Sequence, residues 1–213
     1  MTDDWRCETD EPGPEDGTAP VVGPDQPWHV VAPLLRLRLR PVHDPAPWGP
    51  LLHRLLRAEV VVEEARAIIP VRRPMLHRWG REPAEIVALA GRQTLRQPLR
   101  WSSTSVAAGP DRGSILLIAG GGPCTNGIVT GLRSLRLEGL RFPAIVSVPN
   151  DHVAIVAVPP ARSSVEIRRA LVARLRRMQT AIDGQPIFGL APHRRMLWCS
   201  DDGRLTIFGE EES

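Results

Sequence analysis

Between residues 99 and 208 the chain repeats one pattern three times: two β-patterned runs joined by a short turn. "LRWSSTSVA" and "SILLIA" flank "AGPDRG", "AIVSV" and "VAIVAV" flank "PNDH", and "RMLWC" and "RLTIF" flank "SDDG". The Gly, Pro, Asn and Asp of the connectors favour tight turns, and two strands so joined must run antiparallel. Helical patterns separate the pairs. One covers about 126 to 138. The other, "SSVEIRRALVARLRRMQTAI" at 163 to 182, places Ile167, Leu171, Leu175 and Met178 on one stripe, with Ser163 or Ser164 as N-cap. The prediction is an α+β fold, with an antiparallel or mixed sheet built from hairpins that alternate with helices, the helices covering one face. The three copies do not align residue by residue, so no sequence repeat is inferred.

The first half is less uniform. "PLLRLRLRP" at 33 to 41 alternates with period two, Leu35, Leu37 and Leu39 against Arg36, Arg38 and Arg40. That spacing predicts a half-buried strand, and the bounding prolines place it at a sheet edge. Residues 49 to 69, "GPLLHRLLRAEVVVEEARAII", read as mostly helical, with "VVV" also compatible with extended chain. "REPAEIVALAGRQTL" is the best-marked helix: Pro83 suits the first turn, Glu85 favours the dipole there, and Ile86, Leu89 and Ala90 form the buried stripe. Trp79, Trp101 and Trp198 are expected to anchor the core.

Charge divides the chain. Residues 1 to 25 hold eight acids and Arg6, a net −7; the remaining 26 arginines and 16 acids give +10, which sums to the overall +3. Residues 1–26, acidic and rich in Pro and Gly, are expected to be a disordered tail. A single α+β domain is expected over 27–208, followed by a short acidic tail at 209–213. Every basic residue is arginine, so an arginine cluster says less here than it would beside lysines. No apolar stretch approaches the roughly 20 residues that cross a bilayer, and the acidic start is unlike a secretory signal. The expected location is cytoplasmic, with no membrane partner. Cys7, Cys124 and Cys199 are odd in number and widely spaced, which is not a disulfide framework. The histidines at 29, 43, 53, 77, 152 and 193 never fall at ligand spacing, so neither a metal site nor a cofactor is expected.

The stretch "GGGPCTNG" at 120 to 127 raises the question of chemistry. Gly122 and Gly127 have the separation of a phosphate-binding loop, but Ile128 and Val129 stand where lysine and a hydroxyl are needed. Gly120 and Gly122 begin a dinucleotide fingerprint that Thr125 breaks. Cys124 would lie at a helix N-terminus, where unpaired N–H groups favour a thiolate, and His152 beside Asp151 is the most economical base. The plainer reading is a glycine bend in which Gly120, Gly121 and Gly122 let the chain turn and the cysteine packs as a small apolar residue. Asn150, Asp151 and His152 could likewise contact a ligand or only close a turn. Arg168, Arg169, Arg176 and Arg177 lie off the apolar stripe of their helix, on a surface that is either solvated or drawn to nucleic acid.

"IIPVRRPMLHRWGREPAEIVALAGRQTL" resembles a segment of the bacterial YtpQ-like family, a domain family of unknown function. There a proline-containing connector leads to a tryptophan, a polar step and a helix ending in an alanine and a leucine; the matching positions here are Trp79, Ala90 and Leu95. "AIVSVPNDHVAIV" is similar to the family's strand, turn and strand, and "MLWCSDDGRLTIF" to its closing hairpin, so the resemblance spans about residues 60 to 208. The turn arginine of the family is absent, since Asp151 follows Asn150 directly, and Thr94-Leu95 stands for its Asn-Leu. The resemblance implies no activity and no site residues. The expectation is therefore a non-catalytic binding, adaptor or immunity-type module with a protein partner. The alternatives are a thiol-dependent enzyme using Cys124 with His152, and nucleic-acid binding through the 163–182 helix.

Overall fold

The computed structural model describes residues 26–42, 48–53, 56–64, 67–120, 122–182 and 196–208. The expected tails therefore lie outside the described residues, Gln26 excepted. A short helix α1 (Trp28–Val31) and a 3-10 turn (Ala32–Leu34) lead into β1 (Leu35–Pro41). The period-two alternation has its expected result: Leu35, Leu37 and Leu39 are buried in the core. β1 pairs antiparallel with β3 (Leu56–Glu63), while β2 (Leu51–His53) and β4 (Ile68–Pro70) share the opposite edge of β3. β1 is thus the edge that its prolines predicted.

The helix expected over 49 to 69 is instead three strands. Both faces of β3 are buried: Leu56, Ala58, Val60 and Val62 face the core, and Glu59 and Val61 are also enclosed. A strand covered on both sides loses its polar alternation, and its apolar run then resembles a helix in sequence. The β-branched Val60, Val61 and Val62 fit the pleated surface.

Helix α2 (Arg73–Trp79) stops at Gly80, whose φ of 60° is left-handed and suits glycine. Helix α3 (Pro83–Arg96) follows, with Pro83 in its first turn and Ile86, Ala90 and Thr94 buried; Leu89 is half-buried. The three predicted hairpins form, as β5 (Leu99–Ala108) with β6 (Asp111–Gly120), β7 (Ala144–Asn150) with β8 (Val153–Val158), and β9 (Met196–Cys199) with β10 (Leu205–Ile207). They combine into one antiparallel sheet of order β10-β9-β7-β8-β6-β5.

Helix α4 (Val165–Ile182) lies on one face of that sheet, where Ile167, Leu171 and Leu175 pack with Ile115, Ile145, Ile155, Ala157 and Met196. Ser164 caps it, its Oγ accepting from Ile167 N at 3.4 Å. The opposite face shares a single core with β1, β3, α3 and a 3-10 helix at Thr125–Ser134. The two sheets are thereby joined through one apolar layer, in which each fully buried Leu, Ile or Val contributes roughly 1.5–3 kcal/mol. The helix expected at 126 to 138 is this shorter 3-10 segment. Gly131 departs from helical geometry within it, and glycine favours no helix.

Trp79 is buried, but Trp198 is half-buried and Trp101 is 39% exposed. Trp101 is not a core anchor, because it sits on β5, the outermost strand. No described helix is long and apolar enough to cross a membrane.

Candidate functional site

The arginine side of β1 is not a solvated face. Arg38 stands directly opposite Glu59 across the β1–β3 ladder and is only 8% exposed. Its NH2 and Nε groups donate to Glu59 Oε2 at 2.6 and 3.0 Å. Arg40 Nε approaches the same oxygen at 3.7 Å, and Arg36 Nε approaches Glu63 Oε2 at 3.2 Å. Two buried charges need such mutual contact, since either alone would carry several kcal/mol of desolvation cost, on the order of 3–5. Complementary charges on "LRLRLR" and "AEVVVEE" were visible in sequence. They become a signal only when both segments are read as strands.

The free edge of β1 is closed by side chains from two other elements. Leu37 N donates to Thr94 Oγ1 of α3 at 2.7 Å, and that hydroxyl donates to Ala90 O at 2.8 Å. Leu39 N donates to Asn126 Oδ1 at 3.0 Å, and Asn126 Nδ2 reaches Leu39 O at 3.5 Å. The Asn126 amide thus pairs with β1 as a neighbouring strand would. Gly127 lies directly over Leu37 O, where a Cβ would collide with that carbonyl.

The glycine loop between β6 and the 3-10 helix serves the same close approach. A Cβ at Gly122 would displace the terminal carboxylate of Glu63, and one at Gly120 would meet Thr125 Oγ1 and Cβ. Neither glycine has positive φ. What they supply is the missing side chain rather than a left-handed turn. Gly121 lies outside the described residues.

Cys124 takes the expected N-cap position, but it is completely buried. Burial first, and then the Glu63 carboxylate, push its thiol far above the ordinary range, against the smaller opposite pull of Arg38. The neighbouring Asp151 is held by Asn126 Nδ2, which donates to its Oδ1 at 2.8 Å, and by Arg38 at 4.0 Å. Asn126 N also donates to Asp151 O at 3.1 Å. His152 is exposed, and no hydrogen bond joins it to Cys124 among the described residues. Asn150 Oδ1 accepts from His152 N at 2.9 Å, a local turn bond. The structure therefore brings Cys124 and Asp151 into one charged neighbourhood with Arg38, Glu63 and Asn126.

Beside this cluster opens a hollow of about 350 Å³ lined by Arg36, Glu63, Glu64, Gln97, Pro98, Gly122 and Pro123. Glu63 Oε1, Glu64 Oε1 and Gln97 Nε2 are buried there without a hydrogen-bond partner. Buried polar atoms are seldom left so. Apart from Gly122, none of these residues was a site candidate in the sequence, because Arg36, Glu63, Gln97 and Gly122 come from four separate segments.

Arg168, Arg169, Arg176 and Arg177 are exposed along α4. Arg168 Nε donates to Ser163 Oγ at 2.7 Å, and Arg176 and Arg177 border a shallow hollow with Thr180 and Ala181. They do not converge with the Cys124 cluster or with the hollow beside it. No group of three or more His, Cys, Asp or Glu among the described residues is placed to hold a metal ion. No protein-family model, curated protein or solved structure matches the chain.

Proposed function

We propose that the chain is a non-catalytic binding module whose protein partner inserts a donor-bearing side chain, guanidinium or ammonium, into the hollow beside the glycine loop. The observation that carries this reading is the pair of unpartnered buried carboxylate oxygens on residues that line the hollow, Glu63 Oε1 and Glu64 Oε1. Each such group costs on the order of 1–3 kcal/mol while unmatched. A partner that supplies donors to the two carboxylates offsets that cost. Adaptor and immunity-type roles are both compatible with such a site. The likeness of three of its segments to the YtpQ-like family supports kinship with that family and adds no activity.

The test is titration of the full chain with N-acetyl-arginine amide and N-acetyl-lysine amide, followed by NMR. Shifts confined to Glu63, Glu64, Gln97 and Gly122, and lost in Glu63→Gln/Glu64→Gln, are the expected result. Shifts that are absent, or that survive the double substitution, reject the reading. The burial of Cys124 also argues against a thiol-dependent enzyme. Alkylation of Cys124 at pH 8 should wait for unfolding, and rapid alkylation of the native chain would restore that alternative.

A second reading is nucleic-acid binding, favoured by the exposed Arg168, Arg169, Arg176 and Arg177 on α4. It requires DNA or RNA association that falls steeply with salt and weakens in Arg176→Gln/Arg177→Gln. No association at low salt removes it.

A further inference from the structure

Among the described residues, β5 ends the larger sheet and pairs with β6 alone. Its register with β6 is unbroken from Leu99 to Ala108, and Arg100 to Ser105 are all exposed. Natural edges of this length are usually blunted by charge, proline or a bulge. From Trp101 to Ala108 none of these occurs.

The direction of the free backbone groups follows from the ladder. Gly120 N donates to His152 O, so the even-numbered residues of β6 face β8 and its odd-numbered residues face β5. Their opposite numbers on β5 are Arg100, Ser102, Thr104, Val106 and Ala108, which therefore bond inward. Leu99, Trp101, Ser103, Ser105 and Ala107 turn N–H and C=O to the open edge. That set is symmetric about Ser103.

We propose that this edge is a homodimer interface, at which β5 of a second copy adds antiparallel about a two-fold axis at Ser103 and makes the two larger sheets continuous. In this register every outward amide finds a partner. Trp101 meets the partner's Ser105, Leu99 meets the partner's Ala107, and Arg100 meets the partner's Val106. Large side chains thus face small ones and no like charges are opposed. Ser102 lies opposite the partner's Thr104 in a close pair, where hydroxyl contacts favour the ladder. Moving the axis to Thr104 would set Leu99 against the turn beyond the partner's Ala108. A second copy is the occupant that the side chains favour, since pairing about Ser103 uses all five outward residues while Trp101, Leu99 and Arg100 each meet a small or uncharged partner.

Sedimentation of the full chain from low to high micromolar concentration tests the proposal, with Ser103→Glu and Ser103→Pro alongside. Ser103 N–H points outward, so proline removes no bond to β6, and glutamate places two carboxylates across the axis. A concentration-dependent dimer is expected, weakened at least tenfold by either substitution while the thermal melt of each variant stays cooperative. In a Cys7→Ser background, mild oxidation should cross-link Ser103→Cys and leave Ser105→Cys, opposite the partner's Trp101, uncoupled. A chain that is monomeric throughout overturns the proposal, as does a dimer that survives both Ser103 substitutions or couples equally at both positions.

Discussion

Asn126 does more for the fold than its single amide suggests. It satisfies both backbone groups of Leu39 and one oxygen of Asp151. Asn126→Ala leaves those groups buried without partners, and we expect a loss of about 3 kcal/mol by urea denaturation. The cysteines supply a second prediction. Burial raises Cys199 from 9.0 to about 11 and Cys124 still further. Above the unfolded value the unfolded chain releases thiol protons that the folded chain retains, so the folded state is disfavoured as pH rises. The contribution is full below pH 9.0 and is lost progressively toward 11 for Cys199. Denaturation at pH 8 to 11 should show a falling stability whose slope is shallower in Cys199→Ala. An unchanged slope would place the titration elsewhere.

Among the elements, the 3-10 helix Thr125–Ser134 matters most to the site, because it is laid against the edge of β1. Gly127→Ala would push a methyl group into Leu37 O and lift that helix from the strand. A destabilisation of about 1–3 kcal/mol is expected, as for other overpacked contacts, with slowed exchange at the Leu37 and Leu39 amides lost first. Gly120 and Gly122 were visible in sequence as a loop signal, but their physical reason was not. Gly122 lies against the Glu63 carboxylate, which comes from a segment far earlier in the chain, and local patterning carries no record of such an approach. The hairpins were legible because turn chemistry acts within a few residues, and α4 because its stripe and its Ser164 cap are both local. The 49–69 segment was misread because burial on both faces of β3 erased the alternation that marks a strand.

At the scale of the molecule, one apolar layer contains side chains from β1, β3, α3, the 3-10 helix and the larger sheet. Neither sheet has this layer to itself. Chemical denaturation should therefore give coincident transitions by far-UV circular dichroism and by tryptophan fluorescence of a Trp101→Phe/Trp198→Phe variant, in which the larger sheet's two tryptophans are gone and Trp79 near the smaller sheet reports. Two resolved transitions would mean that the sheets fold separately.

The sequence by itself determined the local order: which runs pair through turns, where α3 and α4 begin, that β1 is an edge, and that the class is α+β. These follow from periodicity, capping and turn preference, which act over a few residues. The tertiary structure alone decided that Arg38 and Glu59 meet inside the protein, that Asn126 closes the edge of β1, and that Cys124 is sealed from solvent beside Glu63. Each depends on segments distant in sequence meeting at ångström separations, where burial and Coulomb forces set ionisation and pairing. No single segment encodes such a meeting.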